Sequence, residues 1–164
     1  MREHSFPFDM THQPPQRHEH RLGILHVGSW SALQPLASTV RTAVFVHEQG
    51  IDAELEWDEF DALSVHVVLL DSQSQPVATA RLLPTQAGVS TIGRVAVVQS
   101  WRGRHAGVAV MQALMDVAKQ RGDHAVMLHA QQSAQGFYDR LGFTVQGEPF
   151  DEVGIAHVTM VRAL

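Results

Sequence analysis

The chain has 164 residues, 45% of them apolar, which suits one domain with a substantial core and leaves two domains cramped. Twelve Lys+Arg against 17 Asp+Glu give a net charge of -5, which argues against a broad nucleic-acid-binding face. No apolar run approaches the roughly 20 residues that cross a bilayer, and with no cysteine there are no disulfides, thiolate metal sites or cysteine nucleophile.

Residues 1–21 are expected to be a flexible tail, because MREHSFPFDMTHQPPQRHEH (1–20) holds three of the seven prolines and no hydrophobic periodicity. It has no continuous apolar segment of the kind a secretory signal needs, so a cytoplasmic protein is expected. His18 and His20 lack a third fixed ligand, so no metal is expected. The folded domain is then 22–164. LGILHVG (22–28) reads as a strand, and Leu33, Leu36, Val40, Val44 and Phe45 predict an amphipathic helix over 33–48. EQGIDAELEWDEFDA (48–62) is an acidic connection with room for a short helical turn. SVHVVLLD (64–71), VATARLLP (77–84) and TIGRVAVV (91–98) are rich in β-branched residues and predict an antiparallel meander. A helix follows over 106–120, with Val110, Met111, Leu114, Met115 and Ala118 on its apolar side and Lys119, Arg121 and Gly122 as its stop. HAVMLHA (124–130) is a buried strand, SAQGFYDRLG (133–142) a short helix, and FTVQGEPF and IAHVTMVRAL two more strands. The order β-α-β-β-β-α-β-α-β-β predicts an α/β (α+β) domain, a mixed central sheet of about six or seven strands flanked by helices on both faces. The unit over 91–130 must be a right-handed parallel crossover.

One stretch, RVAVVQSWRGRHAGVAV (94–110), is electrostatically odd. Arg94, Arg102 and Arg104 crowd into eleven residues, the last two just ahead of a helix start whose partial positive charge disfavours cations. A phosphate held by the free N–H groups there would make the arginines favourable, whereas loop arginines on a glycine turn are the plainer alternative.

These residues resemble the acetyl-CoA motif of the Gcn5-related N-acetyltransferase (GNAT) family, Arg/Gln-x-x-Gly-x-Gly/Ala, aligned on Arg102, His105 and Gly107. QQSAQGFYDRLGF is similar to the family's Asn-x-x-Ala-x-x-Phe-Tyr-x-x-x-Gly-Phe and supplies Gln131, Ala134, Phe137, Tyr138, Gly142 and Phe143. RTAVFVHEQG (41–50), ELEWDEFD (54–61), IGRVAV (92–97), LHAQ (128–131) and GEPFDEVGIAHVTM (147–160) resemble the ElaA-like branch, so the resemblance covers about 22–164. The first motif glycine is His105 here. Glycine permits close approach to phosphate and φ > 0, so His105 is expected to fit by taking a helical φ, with its ring as an added donor.

The resemblance implies a GNAT fold and direct attack of an amine on acetyl-CoA, the acyl donor, in a ternary complex. The cofactor-binding set it implies is Val95, Ala96, Val97, Arg102, Gly103, Arg104, His105, Ala106, Gly107, Val108, Gln131, Ala134 and Tyr138. Backbone around Val95–Val97 would meet the acyl oxygen as it gains negative charge, where a strand bulges and splays from its neighbour. Tyr138, the only tyrosine, matches the family's acid and would serve the departing thiolate; a ring closing the core beside Phe137 and Phe143 is the other reading. The attacking ammonium must first lose a proton, and Glu48, Glu56, His66 or a water chain are the candidate bases.

Glu48, Asp52, Glu54, Glu56, Asp58, Glu59 and Asp61 contain no Lys or Arg between them and are expected to repel one another. They form either a solvated loop or an electrostatic funnel for a cationic acceptor. Arg94, Glu56, Asp58 and His66 are the candidate substrate-binding residues, with Arg94 paired to a carboxylate at the pocket floor. His129 and His157 lie in strand patterns and read as core histidines. The acceptor is expected to be an amine of a small molecule or peptide, with no nucleic-acid or membrane partner. The family often forms homodimers, though nothing in this chain indicates one. Two alternatives remain: a non-catalytic acyl-CoA sensor, and an acyl-homoserine-lactone-synthase-like acyltransferase, which ELEWDEFD and ARLLPT also resemble.

Overall fold

The computed structural model describes residues 14–164. Its elements are β1 (Gln16–His20), β2 (Gly23–Gly28), α1 (Trp30–Arg41), α2 (Ala53–Glu56), β3 (Val65–Leu70), β4 (Pro76–Leu82), β5 (Val89–Val97), α3 (Ala106–Gln120), β6 (Ala125–Gln131), α4 (Gln135–Arg140), β7 (Thr144–Glu152) and β8 (Ile155–Ala163). The eight strands form one sheet in the order β1-β2-β3-β4-β5-β6-β8-β7. That is one strand more than expected. The extra strand is β1, which pairs antiparallel with β2 from Gln16↔Val27 to His20↔Gly23. Residues 16–20 therefore belong to the folded domain and not to the tail, whose residues 1–13 lie outside the described part. Every residue of β1 is polar or charged, so no alternation marked it; what defines the strand is its backbone ladder with β2.

The meander β3–β4–β5 is antiparallel, and β5 and β6 are parallel across α3, as the element order predicts. VVLL in β3 is continuously apolar because both faces of the sheet are covered. Val67 and Leu69 join Met111, Leu114 and Met115 of α3, whereas Val68 and Leu70 join Leu33 and Ala37 of α1. The helix expected over 33–48 starts earlier, where Ser29 caps Ala32 N–H through its hydroxyl. From Thr42 to Glu48 it continues as a wider π-helical turn whose Val44 and Phe45 pack with Val40 on Ala96 of β5. No described helix is long and apolar enough to cross a membrane.

Candidate active site

Two strands that part company create the central feature. β5 and β6 pair only through Val89–Thr91 with Ala125–Met127, and beyond that β5 keeps β4 while β6 keeps β8. Val98 donates its N–H to Val77 O on the β4 side, so strand alternation turns the N–H and C=O of Val97 to the opposite edge, into the opening. The Val97 carbonyl bears this out, since it accepts from Nε and Nη2 of Arg102, outside the ladder. Of the three candidates, Ala96 turns its backbone to β4 and buries its side chain against α1. Val95 lies on the same edge as Val97.

The cause of this arrangement is a bulge. Between Thr79 and Arg81 the β4–β5 register slips, and Arg94 takes φ 50°. One inserted residue reverses which side chain faces which way. Ile92 and Val95 face α3, and Arg94 swings to the α1 face. A non-glycine residue at positive φ costs on the order of 1 kcal/mol, and side-chain anchors offset it. Arg94 Nε donates to Glu56 O at 3.1 Å and Nη2 to Asp58 Oδ2 at 3.3 Å.

At the mouth of the opening, Gly103 has φ 77° with open space where a Cβ would be, and His105, the N-cap of α3, has φ 65°. The helical φ expected for His105 is thus overturned: it sits in the left-handed region that the family's glycine would favour. Its ring lines a groove with His18 and His20, between β1–β2 and α3. No side chain caps α3, so the N–H groups of Ala106, Gly107 and Val108 at its first turn have no intrahelical partner. Gly107 is needed for packing, since a Cβ there would stand 3.0 Å from Phe137 Cζ. Arg104 lies over the Trp101 ring at 5.0 Å, and Arg102 forks onto Glu48 at 2.5 and 2.6 Å. Of Arg94, Arg102 and Arg104, the last two flank the helix start.

Tyr138 comes from α4, and its ring meets Phe137 and Phe143 edge-on. Burial pushes its pKa well above the ordinary tyrosine value. The hydroxyl therefore stays protonated at any ordinary pH. Ala134 packs against the same core just before α4.

The acidic connection is not a field of repelling charges. Glu56 and Asp61 are 3% and 2% exposed, and both are bound by Arg41 of α1, which is itself buried under Trp30. Arg81 of β4 spans Asp58 (2.6 Å) and Asp61 (2.8 Å). Burial works against the charged form of Asp61, but hydrogen bonds and charge from Arg41 and Arg81 outweigh it and hold the carboxyl below its usual range. Three arginines from three elements thus neutralise three of the seven carboxylates.

Two of the expected bases stand inside that network. Glu56 is committed to Arg41. His66 is buried and donates Nε2–H to Asp61 O at 2.9 Å; burial lowers its pKa to about 4. Glu48, the third, is held by Arg102, whose hydrogen bond lowers its pKa. Gln131 exchanges amide hydrogen bonds with Gln49 (3.0 and 3.3 Å), tying the end of β6 to the π-helical turn across the α1 side of the opening.

His129 and His157 both read as core histidines from their strands, and His157 is indeed buried. His129 is 43% exposed, not a core residue, and stands with Phe150, Glu152 and His157 on the sheet face that carries Gln131. Its signal lay in the strand register: Gln131↔His157 and Phe150↔His157 put alternate residues of three strands on one face.

A model of the acetyltransferase (GNAT) domain matches residues 34–164. The N-acetyltransferase YjcF of Bacillus subtilis is 36% identical over 124 residues, covering 75% of this chain and 87% of that protein. An acyl-CoA N-acyltransferase from Pseudomonas aeruginosa superposes with a TM-score of 0.75 at 30% identity, over 85% of this chain and 98% of that one. Escherichia coli ElaA superposes with a TM-score of 0.74 at 29% identity, over 84% and 98% respectively. A CoA-dependent acyl-homoserine lactone synthase, BjaI, is 17% identical with a TM-score of 0.64 over 79% and 74%, a likeness of fold alone. By sequence and by fold, the chain belongs to the GNAT family of acetyltransferases.

Proposed function

We propose that the chain moves an acetyl group from acetyl-CoA to an amine of a small molecule or peptide by direct attack in a ternary complex. The observation that carries this reading is the divergence of β5 from β6, which leaves the Val97 N–H unpaired beside the uncapped start of α3. The first amides of α3, the Gly103 turn and the guanidinium groups of Arg102 and Arg104 suit a pyrophosphate. The amine nitrogen attacks the thioester carbon, and Val97 N–H donates to the carbonyl oxygen as it becomes negative. The C–S bond then breaks with the Tyr138 hydroxyl donating a hydrogen bond to the sulfur, and the proton that the nitrogen sheds on becoming an amide ends on the CoA thiolate. Because burial keeps that hydroxyl protonated, Tyr138 is a donor throughout.

The test is release of free CoA from acetyl-CoA with and without a panel of amines. Amine-dependent release is expected, and Tyr138→Phe, which keeps the ring, should lower kcat by about 10²-fold with little change in either KM. Tight acetyl-CoA binding without release under any amine would instead support the acyl-CoA sensor.

A further inference from the structure

The proposed reaction needs a group to receive the amine: Glu56 and His66 are engaged in the buried network, Glu48 is tied to Arg102 in the chain without its donor, and a water chain supplies no charge to hold an ammonium. We infer that His129, Phe150, Glu152 and His157 form the acceptor subsite, taking an alkylammonium with an apolar stem, and that His129 is the base that receives its proton. This inference rests on the proposed acetyl transfer.

Placement is the first argument. His129 lies on the stretch of β6 that has left β5, two residues and so roughly 7 Å from Gln131, on the face that Gln131 shares with the π-helical turn. The subsite therefore lies on the α1 side of the opening, while the start of α3 and Tyr138 lie on the other.

Geometry supplies the second. His157 donates Nδ1–H to Ile155 O at 2.7 Å, which leaves the Nε2 lone pair of the neutral ring directed elsewhere. That Nε2 stands 3.7 Å from Glu152 Oε2, and His129 Nδ1 stands 3.8 Å from the same oxygen. These gaps are too wide for direct hydrogen bonds, and Glu152 Oε2, His157 Nε2 and His129 Nδ1 converge on them. A cationic N–H group between them serves all three. The Phe150 ring stacks on His157 at 25° and meets His129 edge-on at 5.1 Å, giving an apolar wall for the stem.

Glu152 and His157 are the titratable groups that face His129 from β7 and β8. Glu152 holds the ammonium by charge. One N–H bond of the ammonium breaks and its proton passes to the His129 imidazole, which is exposed and releases it to solvent. The freed nitrogen lone pair then forms the bond to the thioester carbon.

Two measurements test this on the full chain. The first is steady-state kinetics with the best substrate among 2-phenylethylamine, spermidine and a lysine tripeptide. His129→Gln should lower kcat about 10²-fold and remove the acidic limb of its pH profile. Glu152→Gln should raise acceptor KM roughly tenfold while acetyl-CoA KM stays fixed. If the wild type turns over an amine and both variants keep their kcat and acceptor KM, the subsite is wrong and the proposed function stands. The second measurement needs no turnover. Titration of 2-phenylethylamine into the wild-type protein, read by imidazole NMR, should shift His129 and His157 together and should fail in Glu152→Gln. Shifts without amine-dependent CoA release would uphold the subsite and sink the transfer reaction; no shift in the wild type would overturn the subsite.

Discussion

The molecule uses arginine–carboxylate pairs in two settings. On the α1 face, Arg41, Arg81 and Arg94 meet Glu56, Asp58 and Asp61 in a largely buried cluster. At the mouth of the opening, Arg102 meets Glu48 with both side chains more than a third exposed. In the first, removing one partner strands a charge in a poorly solvated place. In the second, water replaces a lost partner, so Arg102 can trade a carboxylate for a phosphate at little cost. The buried cluster therefore sets geometry: it holds the acidic connection against the β5 bulge. The exposed pair is the exchangeable part of the site.

The largest expected effect breaks the buried side. Arg41→Met leaves Glu56 and Asp61 short of their main partner and should cost about 3–5 kcal/mol in denaturant unfolding. A loss below about 1 kcal/mol would mean the cluster does not hold this region.

Next comes pH. His66 has an ordinary pKa of 6.5 and a folded value of about 4, so the unfolded chain takes up a proton first as pH falls. Stability should decline between those two values and be unaffected by His66 above them. The lowered carboxyls of Asp58 and Asp61 add a further loss below the ordinary carboxylate range, as pH falls through their folded values. His66→Gln should flatten the upper segment, leaving the small slope due to His26, whose pKa burial and Arg17 also lower. An unchanged slope in thermal melts across that range would remove His66 from the account.

The smallest effect on folding belongs to the exposed pair. Arg102→Ala should change stability by no more than about 0.5 kcal/mol. Its acetyl-CoA KM should nevertheless rise roughly tenfold, as expected for a lost charge-assisted contact. If stability fell as far as in Arg41→Met, the contrast between the two settings would collapse.

Regular elements were legible because their signals are local. The α3 range of 106–120 follows from apolar spacing and the Lys119–Gly122 stop, and the meander from β-branched runs with turns between them. Of the charge cluster only the pairing of Arg94 with a carboxylate was legible, because Arg41 and Arg81 sit inside periodic segments and meet their carboxylates across 15 to 23 residues. A helix pattern does not say which of its polar residues will be buried. His105 failed for a related reason: residue type favours one side of the backbone map, and the loop geometry imposed the other. His129 was judged from its own strand, although its environment is made by the hairpin two elements later.

The seam between β5 and β6 has a mechanical consequence. In a sheet, stiffness comes from the ladder, and here the ladder is three residue pairs long at one end of two diverging arms. Those pairs act as a pivot. β6 extends four residues past them, roughly 13 Å, so a slight rotation of the β6–β8 lobe becomes a change in aperture at the far end. Two side-chain latches span or border that end: the Gln49–Gln131 amide pair, and Arg102 with its grip on both Glu48 and the Val97 carbonyl. A phosphate that draws Arg102 from Glu48 would slacken the second latch while leaving the pivot untouched, so donor arrival and aperture width share one guanidinium.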